Sequence, residues 1–390
     1  MTNREPENTS ETRKSHNKIE LSIVLPCLNE EKTIGKCIEK TLEVIKQHNI
    51  NAEIIVADNN STDKSREIAE NLGAKVISVP EKGYGNALRK GIEDAQGEYI
   101  IFFDSDLSYS PEDLLKILEK LREGYQLVIG SRIKGHIAKD AMPFLHRYIG
   151  TPIMTFLAKI LFKANISDIN SGMRGLTREA FKKLDLHSEG MEFASEMIAK
   201  AMWAGITITE VPINFYPDQR GRKPHLRTVR DGWRHLQLMF HFCSFTWFLV
   251  PGLSLSILSY LIMILLFDKV YPLIAYFTAL LLNILGTQIL LIGIIAQGRV
   301  KGSKFKYYPS NIFKLLSKII KVEVGTVLGL VTSIVSGWFS ILTALYHFQF
   351  LFFLSTLAFI QSVLILFNSV LIGLFGIRVS EDEEFFSTRE

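Results

Sequence analysis

The stretch "EYIIFFDSDLSYSPEDL" (residues 98–114) runs apolar as far as Phe103 and then places two aspartates, Asp104 and Asp106, at its end. Side chains two apart on an extended chain point the same way, so two like charges lie side by side. Neighbouring carboxylates repel each other unless something positive lies between them. Just downstream, Ser110 reads as a helix cap, Pro111 as the first helical residue, and Glu112 and Asp113 as the acids of a first turn. The unit is a strand, an acidic end and a helix.

That unit recurs upstream. Strand candidates are LSIVL (21–25), EIIVA (53–57), KVISV (75–79), EYIIFF (98–103) and QLVIG (126–130), each a short β-branched or aromatic run closed by Pro, Gly, Asp or Asn. Charged segments with helical spacing separate them, as in Ile34, Ile38, Leu42 and Ile45. Strand and helix in alternation predict an α/β domain with a mostly parallel, doubly wound sheet. Ligands of such sheets bind beyond the carboxyl ends of the strands. There the sequence places PCLNEE (26–31), DNNSTD (58–63), PEKGYGNALRKG (80–91) and the pair Asp104 and Asp106. Singly, these read as a helix cap, an Asx turn, a glycine turn into a helix and a polar strand end. Gathered on one edge, they point to a ligand.

The 390 residues allow one or two domains, and 47% apolar with 22% charged residues excludes disorder. The apolar residues concentrate after residue 240. Blocks at 247–267, 270–296, 324–346 and 350–375 each reach the roughly 20 residues that cross a bilayer. For the third, Glu323 and Ser333 leave open a buried core helix instead. The loop 297–323 carries Arg299, Lys301, Lys304, Lys306, Lys314, Lys318 and Lys321 against Glu323 alone, and basic loops stay in the cytoplasm. Four spans then return both ends to that side. The expected organisation is a polar leader (1–18) without the apolar core of a signal peptide, a cytoplasmic catalytic domain (19–226) and a juxtamembrane amphipathic helix (227–246). A transmembrane domain (247–376) and an acidic cytoplasmic tail (377–390) complete a multi-pass protein of the plasma or inner membrane.

Cys27, Cys37 and Cys243 have neither metal nor disulfide spacing and fit a reducing compartment. A net charge of +4, without an arginine stripe interleaved with aromatics, gives no argument for nucleic acid. Two segments have an amphipathic pattern. In 227–243, Trp233, Leu236, Phe240 and Cys243 fall on one helical face, and 142–162 is similar, with Pro152 expected to kink it. Either lies in the membrane interface or packs on the sheet.

Taken in order, SIVLPCLNEE, IIVADNNSTD, GYGNALRKG, GEYIIFFDSDLSYSPEDL and VIGSR resemble the nucleotide-sugar-binding half of the family 2 glycosyltransferases, over about residues 21–236. The resemblance implies a Rossmann-like GT-A domain. It implies that Pro26, Asn29, Glu30 and Asp58 contact base and ribose, and that Gly83 and Asp104 also touch the donor. Asp104 and Asp106 would hold Mg²⁺ or Mn²⁺ against the diphosphate. Asn59 stands where the family usually has a second aspartate.

SDINSGMRGLTREAF (167–181), GMEFASEM (190–197) and PDQRGRKPHLR (217–227) resemble the branch that glycosylates polyprenyl phosphates, the dolichyl-phosphate mannose synthases, dolichyl-phosphate glucosyltransferases and bactoprenol glucosyltransferases. By that resemblance Asp168 faces the acceptor, Arg132 and Arg147 receive the lipid phosphate, and Arg220, Arg222 and Lys223 belong to a loop closing on the diphosphate. The last three also read as a solvated basic turn before the membrane. The implied donor is UDP-glucose, or GDP-mannose, and the acceptor undecaprenyl or dolichyl phosphate. A phosphate monoester has a second pKa of about 6 and is already largely a dianion at neutral pH. The expected reaction is therefore one in-line displacement with inversion, catalysed by Asp104, Asp106, Arg132 and Arg220, in which Asp168 orients rather than acts as an obligatory base. Three rivals stand beside it. One is a polysaccharide synthase, whose Gln-x-x-Arg-Trp motif is absent. The others are an enzyme with a soluble sugar or protein acceptor, and a non-enzymatic membrane scaffold. The spans leave both a homo-oligomer and a simple anchor open.

Overall fold

The computed structural model describes residues 19–221, 228–243, 246–266, 272–301, 322–345 and 349–374. The leader, Arg222 and Lys223, most of the basic loop and the acidic tail lie outside the described residues. The chain divides into two units, 1–239 and 240–390.

The first unit is built on seven strands, β1 (Leu21–Cys27), β2 (Ala52–Asp58), β3 (Lys75–Ser78), β4 (Tyr99–Phe102), β5 (Leu127–Ile137), β6 (Arg174–Thr177) and β7 (Ile208–Phe215). Their order in the sheet is β3-β2-β1-β4-β6-β5-β7. β1 runs parallel to both β2 and β4, and β3 parallel to β2. β6 lies antiparallel between β4 and β5, and β5 pairs parallel with β7. Every residue of β1 is buried, as a central strand covered on both faces requires. Because the chain winds outward from β1 in both directions, the gap between the carboxyl ends of β1 and β4 is a topological switch point, where open α/β sheets leave a crevice. The acidic pair follows β4 directly.

The five expected strands are present, β5 running on to Ile137 through an irregularity between Ser131 and His136. β6 and β7 were not anticipated: β6 has four residues and opens on a buried arginine, and Pro212 interrupts the pattern of β7. α1 (Ile34–Gln47) buries Ile34, Cys37, Ile38, Thr41 and Val44, so Leu42 sits beside the stripe and is 40% exposed. α2 (Ser65–Asn71) and α3 (Tyr84–Glu93) follow. Pro111–Asp113 form a tight 3₁₀ turn ahead of α4 (Leu114–Arg122), and the Ser110 hydroxyl turns to the Glu112 carboxylate instead of capping a backbone N–H.

α5 (Thr151–Phe162) follows a π-helical turn, His146–Gly150. Pro152 falls in the first α-helical turn after that segment, with Gly150 and Thr151 ahead of it already helical, so the departure from regular geometry expected at this proline takes the form of the π-helical turn. Phe144, Tyr148, Ile153 and Phe156 are all more than half exposed, while Thr151, Thr155, Ala158 and Phe162 face inward. α6 (Arg178–Leu184), α7 (Phe193–Trp203) and α8 (Thr228–Phe242) as far as Met239 complete the unit. In α8 the expected face is divided: Trp233 is 59% exposed whereas Cys243, just beyond the helix, is fully buried. The inward positions in the first unit are Asp231, His235, Leu238 and Met239.

His235 Nδ1 meets Ser195 Oγ at 2.7 Å, joining α8 to α7. Burial, and after it the Arg174 charge, lowers its pKa to about 4, partly offset by Asp231. The unfolded chain takes up the proton first, near the ordinary value of about 6.5. Stability is therefore expected to fall as pH drops from about 6.5 towards 4, and His235→Gln should flatten that slope in thermal unfolding. A slope unchanged in the variant would show that His235 is not its source.

The second unit comprises α9 (Thr246–Leu266), α10 (Pro272–Lys301), α11 (Val322–Leu345) and α12 (Gln349–Leu374). Among the described residues these four are long and apolar enough to cross a membrane, with windows of mean hydropathy between 1.8 and 2.2. α11 turns Val327, Ile334, Val335 and Trp338 outward, each at least 60% exposed, so it is not a core helix of this chain.

Candidate active site at the carboxyl ends of the strands

The Ser105 hydroxyl donates to the Pro26 carbonyl at 2.9 Å and so ties the acidic turn to the end of β1. Leu107 then takes φ +65°, a left-handed conformation that costs a branched side chain strain. The turn folds Ser108 back, and its N–H and hydroxyl donate to Asp106 Oδ1 at 2.9 and 2.5 Å. Asp106 is 3% exposed, and its other oxygen meets the Arg220 guanidinium. Arg220 Nε also lies 3.7 Å from Glu30, and among the described residues it has no hydrogen-bond partner. The positive partner demanded by the sequence is thus an arginine from beyond β7.

Asp104 accepts from the Tyr84 hydroxyl at 2.9 Å. Burial first, and the Asp106 charge second, raise its pKa to about 6, with Arg220 acting in the opposite sense. Two carboxylates in a crevice, one held back from ionising by burial and by the other's charge, form a hard oxygen donor set that fits Mg²⁺ or Mn²⁺. Among the described residues no three acidic, His or Cys side chains converge as a full cage. An ion that takes its remaining ligands from phosphate and water needs no more than this pair.

Asn29, Glu30 and Asp58 cluster beside the pair. Asn29 adopts φ +56°, and its Oδ1 accepts from Thr62 N at 2.7 Å. Glu30 N donates to Ser65 Oγ at 2.7 Å, and Asp58 Oδ1 accepts from Ser61 N at 3.2 Å. The loops after β1 and β2 are thereby laced together. Asn59 has a different task. Its amide donates to the Val79 and Glu81 carbonyls at 3.0 and 2.8 Å and accepts from Gly83 N at 2.8 Å. An aspartate cannot donate, which accounts for asparagine here. Gly83, expected to touch the donor, has its N–H spent on Asn59. It also adopts φ +144° so close to Glu189 that a Cβ would lie 2.1 Å from that carbonyl. Asn59→Asp is expected to cost about 1–3 kcal/mol, since the buried Val79 carbonyl and the partly buried Glu81 carbonyl would then face a carboxylate. Thermal unfolding checks this.

Arg132 and Asp168 meet as a bidentate pair, Nε to Oδ2 at 2.7 Å and a terminal nitrogen to Oδ1 at 2.8 Å. Asp168 is fully buried and Arg132 is 8% exposed, so the carboxylate is covered and its charge is met by the guanidinium. Glu210 supports it from β7, accepting from Ser167 N at 2.7 Å and Asp168 N at 3.2 Å, with Lys134 closing its other side at 2.8 Å. Arg132, Arg147 and Lys159 line a cavity of about 510 Å³ together with Ile133, Tyr148 and Phe156. Cations and apolar side chains share this lining, with the Arg147 guanidinium 5.4 Å from the centre of the Tyr148 ring.

Sequence reasoning missed Tyr84, Tyr109, Arg174 and Glu210. Arg174 is fully buried and donates to the Ser171, Ile169 and Ala194 carbonyls, and burial lowers its pKa to about 10. The Tyr109 hydroxyl accepts from Gly172 N at 2.7 Å. An arginine in so apolar a setting as "GMRGLT" was the one available signal.

A mostly parallel sheet with ligand-facing loops at its switch point, and an antiparallel strand beside β4, defines a GT-A domain. The chain belongs to glycosyl transferase family 2, whose model matches residues 22–185. It is similar to the low-salt glycan biosynthesis hexosyltransferase Agl6 of Haloferax volcanii, with 39% identity over 251 residues, 64% of this chain and 60% of that protein. It is 35% identical to glycosyltransferase AglJ of the same organism over 54% of this chain and 67% of that one. It is 27% identical to the dolichol-phosphate mannosyltransferase of Pyrococcus furiosus over 56% of this chain and 63% of that one. The match thus spans 60% of the length of the first of these relatives. A glucosyl-3-phosphoglycerate synthase from Mycobacterium tuberculosis shares 24% identity at a TM-score of 0.46, covering 57% of this chain and 80% of that one. So loose a likeness transfers no residue roles.

Proposed function

We propose that this protein transfers a sugar, with inversion, from a nucleotide-sugar donor to a membrane polyprenyl phosphate on the cytoplasmic face. The observation that carries the reading is the closeness of two oppositely charged groups of side chains, the Arg132 charge of one acting on Asp104 of the other. One holds the acids Asp104 and Asp106. The other gathers the cations Arg132, Arg147 and Lys159 among apolar side chains. The name of the Pyrococcus relative and the four apolar helices support a lipid-borne acceptor. The basic loop between the second and third helices supports a cytoplasmic catalytic domain.

Asp104 and Asp106 would hold Mg²⁺ or Mn²⁺, which neutralises charge developing on the leaving diphosphate. Pro26, Asn29, Glu30 and Asp58 frame the nucleoside. Arg220, with Arg222 and Lys223 after it in sequence, exchanges its carboxylate partner for the diphosphate, and its Nε, without a hydrogen-bond partner among the described residues, is a donor for that anion. Arg132, squared by Asp168, and Arg147 orient the acceptor phosphate for in-line attack. No side chain need take a proton from a phosphate dianion. The exposed Phe144, Tyr148, Ile153 and Phe156 would sit among lipid headgroups, which brings the acceptor's phosphate to the cavity.

Arg147→Ala is expected to raise the apparent KM for the lipid about 10-fold, the equivalent of one charged hydrogen bond, with kcat for bound lipid little changed. Steady-state rates over a series of lipid concentrations check it. The test of the function is incubation of membranes holding the protein with undecaprenyl or dolichyl phosphate, Mn²⁺ and labelled nucleotide sugars including UDP-glucose and GDP-mannose. Label should enter the organic phase with one donor and vanish with chelator. Label confined to polymer or protein would mean a saccharide or protein acceptor.

A further inference from the structure

The glycine turn at the start of α3 places a tyrosine whose purpose the sequence does not reveal. Tyr84 is the first residue of α3, and its hydroxyl donates to Asp104 Oδ1 at 2.9 Å. Asp104 is confined on its other oxygen as well. A Cβ on Gly172 would lie 2.9 Å from Oδ2, and the Gly172 N–H is itself fixed by the Tyr109 hydroxyl at 2.7 Å. The carboxylate is held between a donor on one oxygen and a close backbone wall beside the other.

The base of Tyr84 is anchored just as firmly. Gly83 N donates to Asn59 Oδ1 at 2.8 Å, and Gly85 N donates to the Glu189 carbonyl at 2.9 Å. A Cβ at Gly83 or Gly85 would lie within 2.2 Å of the carbonyls of Glu189 and Ser188 respectively. The segment carrying those carbonyls is in turn held by the fully buried Glu196, which accepts from His187 N at 3.0 Å and Ser188 N at 2.7 Å. Glu196 is neutralised by Lys200 at 2.8 Å. A phenol presented from a base fixed on both sides has little freedom to follow a wandering carboxylate.

We propose that Tyr84 is a positioning residue for the divalent-cation site: by occupying Oδ1 it fixes the rotamer of Asp104 and leaves Oδ2 as the oxygen offered to the ion. The inference rests on the reading of Asp104 as a metal ligand. Removing a hydrogen bond to a metal-ligating group typically costs 10–100-fold in affinity. Tyr84→Phe should therefore weaken Mn²⁺ binding about 10-fold while the unfolding temperature stays within a few degrees.

The measurement is the free Mn²⁺ signal in electron paramagnetic resonance, titrating the detergent-solubilised full chain with Mn²⁺ alone. Wild type, Asp104→Asn, Tyr84→Phe and a protein carrying 4-aminophenylalanine in place of Tyr84 are compared. The amine still donates from the same position, so it should recover most of the lost affinity. Equal affinity in wild type and Tyr84→Phe would overturn the proposal. A loss that the amine fails to restore would also overturn it, because the ring's packing and not its donor would then be responsible. Should wild type and Asp104→Asn bind Mn²⁺ alike, the metal assignment itself fails, a result distinct from failure of the role of Tyr84.

Discussion

Asp106→Asn is expected to lower kcat about 10³-fold while the protein remains folded. On the proposed mechanism the neutral amide would remove a ligand charge from the cation and with it several kcal/mol of stabilisation of the leaving diphosphate, each 1.4 kcal/mol being about tenfold in rate. The local fold has reason to survive, because an asparagine Oδ1 still accepts from the Ser108 N–H and hydroxyl that define the turn. Arg220, by contrast, loses its nearest counter-charge, leaving Glu30 and Asp218 at 3.7 and 3.9 Å. Steady-state rates at saturating Mn²⁺, with unfolding temperatures alongside, separate the two consequences. Turnover within a few-fold of wild type would remove Asp106 from the reaction.

The second large effect concerns Arg132 and Asp168, the first of which lines the cavity with Arg147 and Lys159. Asp168→Ala is expected to destabilise the protein by about 3–5 kcal/mol, because Arg132 would be left buried without its counter-charge. Asp168→Asn keeps the shape and one acceptor, and should lose less stability but about 10²-fold in kcat/KM for the lipid, as Arg132 swings out of register. The pairing also makes a claim about coupling. In a double-mutant cycle, Arg132→Met combined with Asp168→Asn should cost much less than the sum of the two single changes. Additive losses would mean that the two residues act separately.

Much of this site was legible in the residues because each piece lies at a strand end, and strands of β-branched residues closed by polar turns are a strong local signal. β1 to β5, the convergence of their carboxyl ends and the acidic pair all followed from that pattern. The positive partner of Asp106 did not, since Arg220 lies 114 positions away and no local rule links the two. The same holds for Arg132 and Asp168, 36 positions apart, each readable as a candidate but not as the other's partner. Glu210 escaped notice because it sits on a strand that Pro212 disguises. Tyr84 escaped because glycines on either side make a turn the obvious reading, and nothing local shows where the phenol goes. Asn59 looked like a departure from its family and proves to be a backbone clasp that requires both a donor and an acceptor.

The most direct test of the account is to identify both products of one reaction. The purified full chain in detergent, given Mn²⁺, polyprenyl phosphate and the donor found to label lipid, should release a nucleoside diphosphate. The lipid should gain one hexose and no second phosphate by mass, and the new linkage should be β from an α-linked donor by nuclear magnetic resonance. Release of a nucleoside monophosphate with a lipid pyrophosphate, retention at the anomeric carbon, or sugar found only on a saccharide acceptor would contradict it.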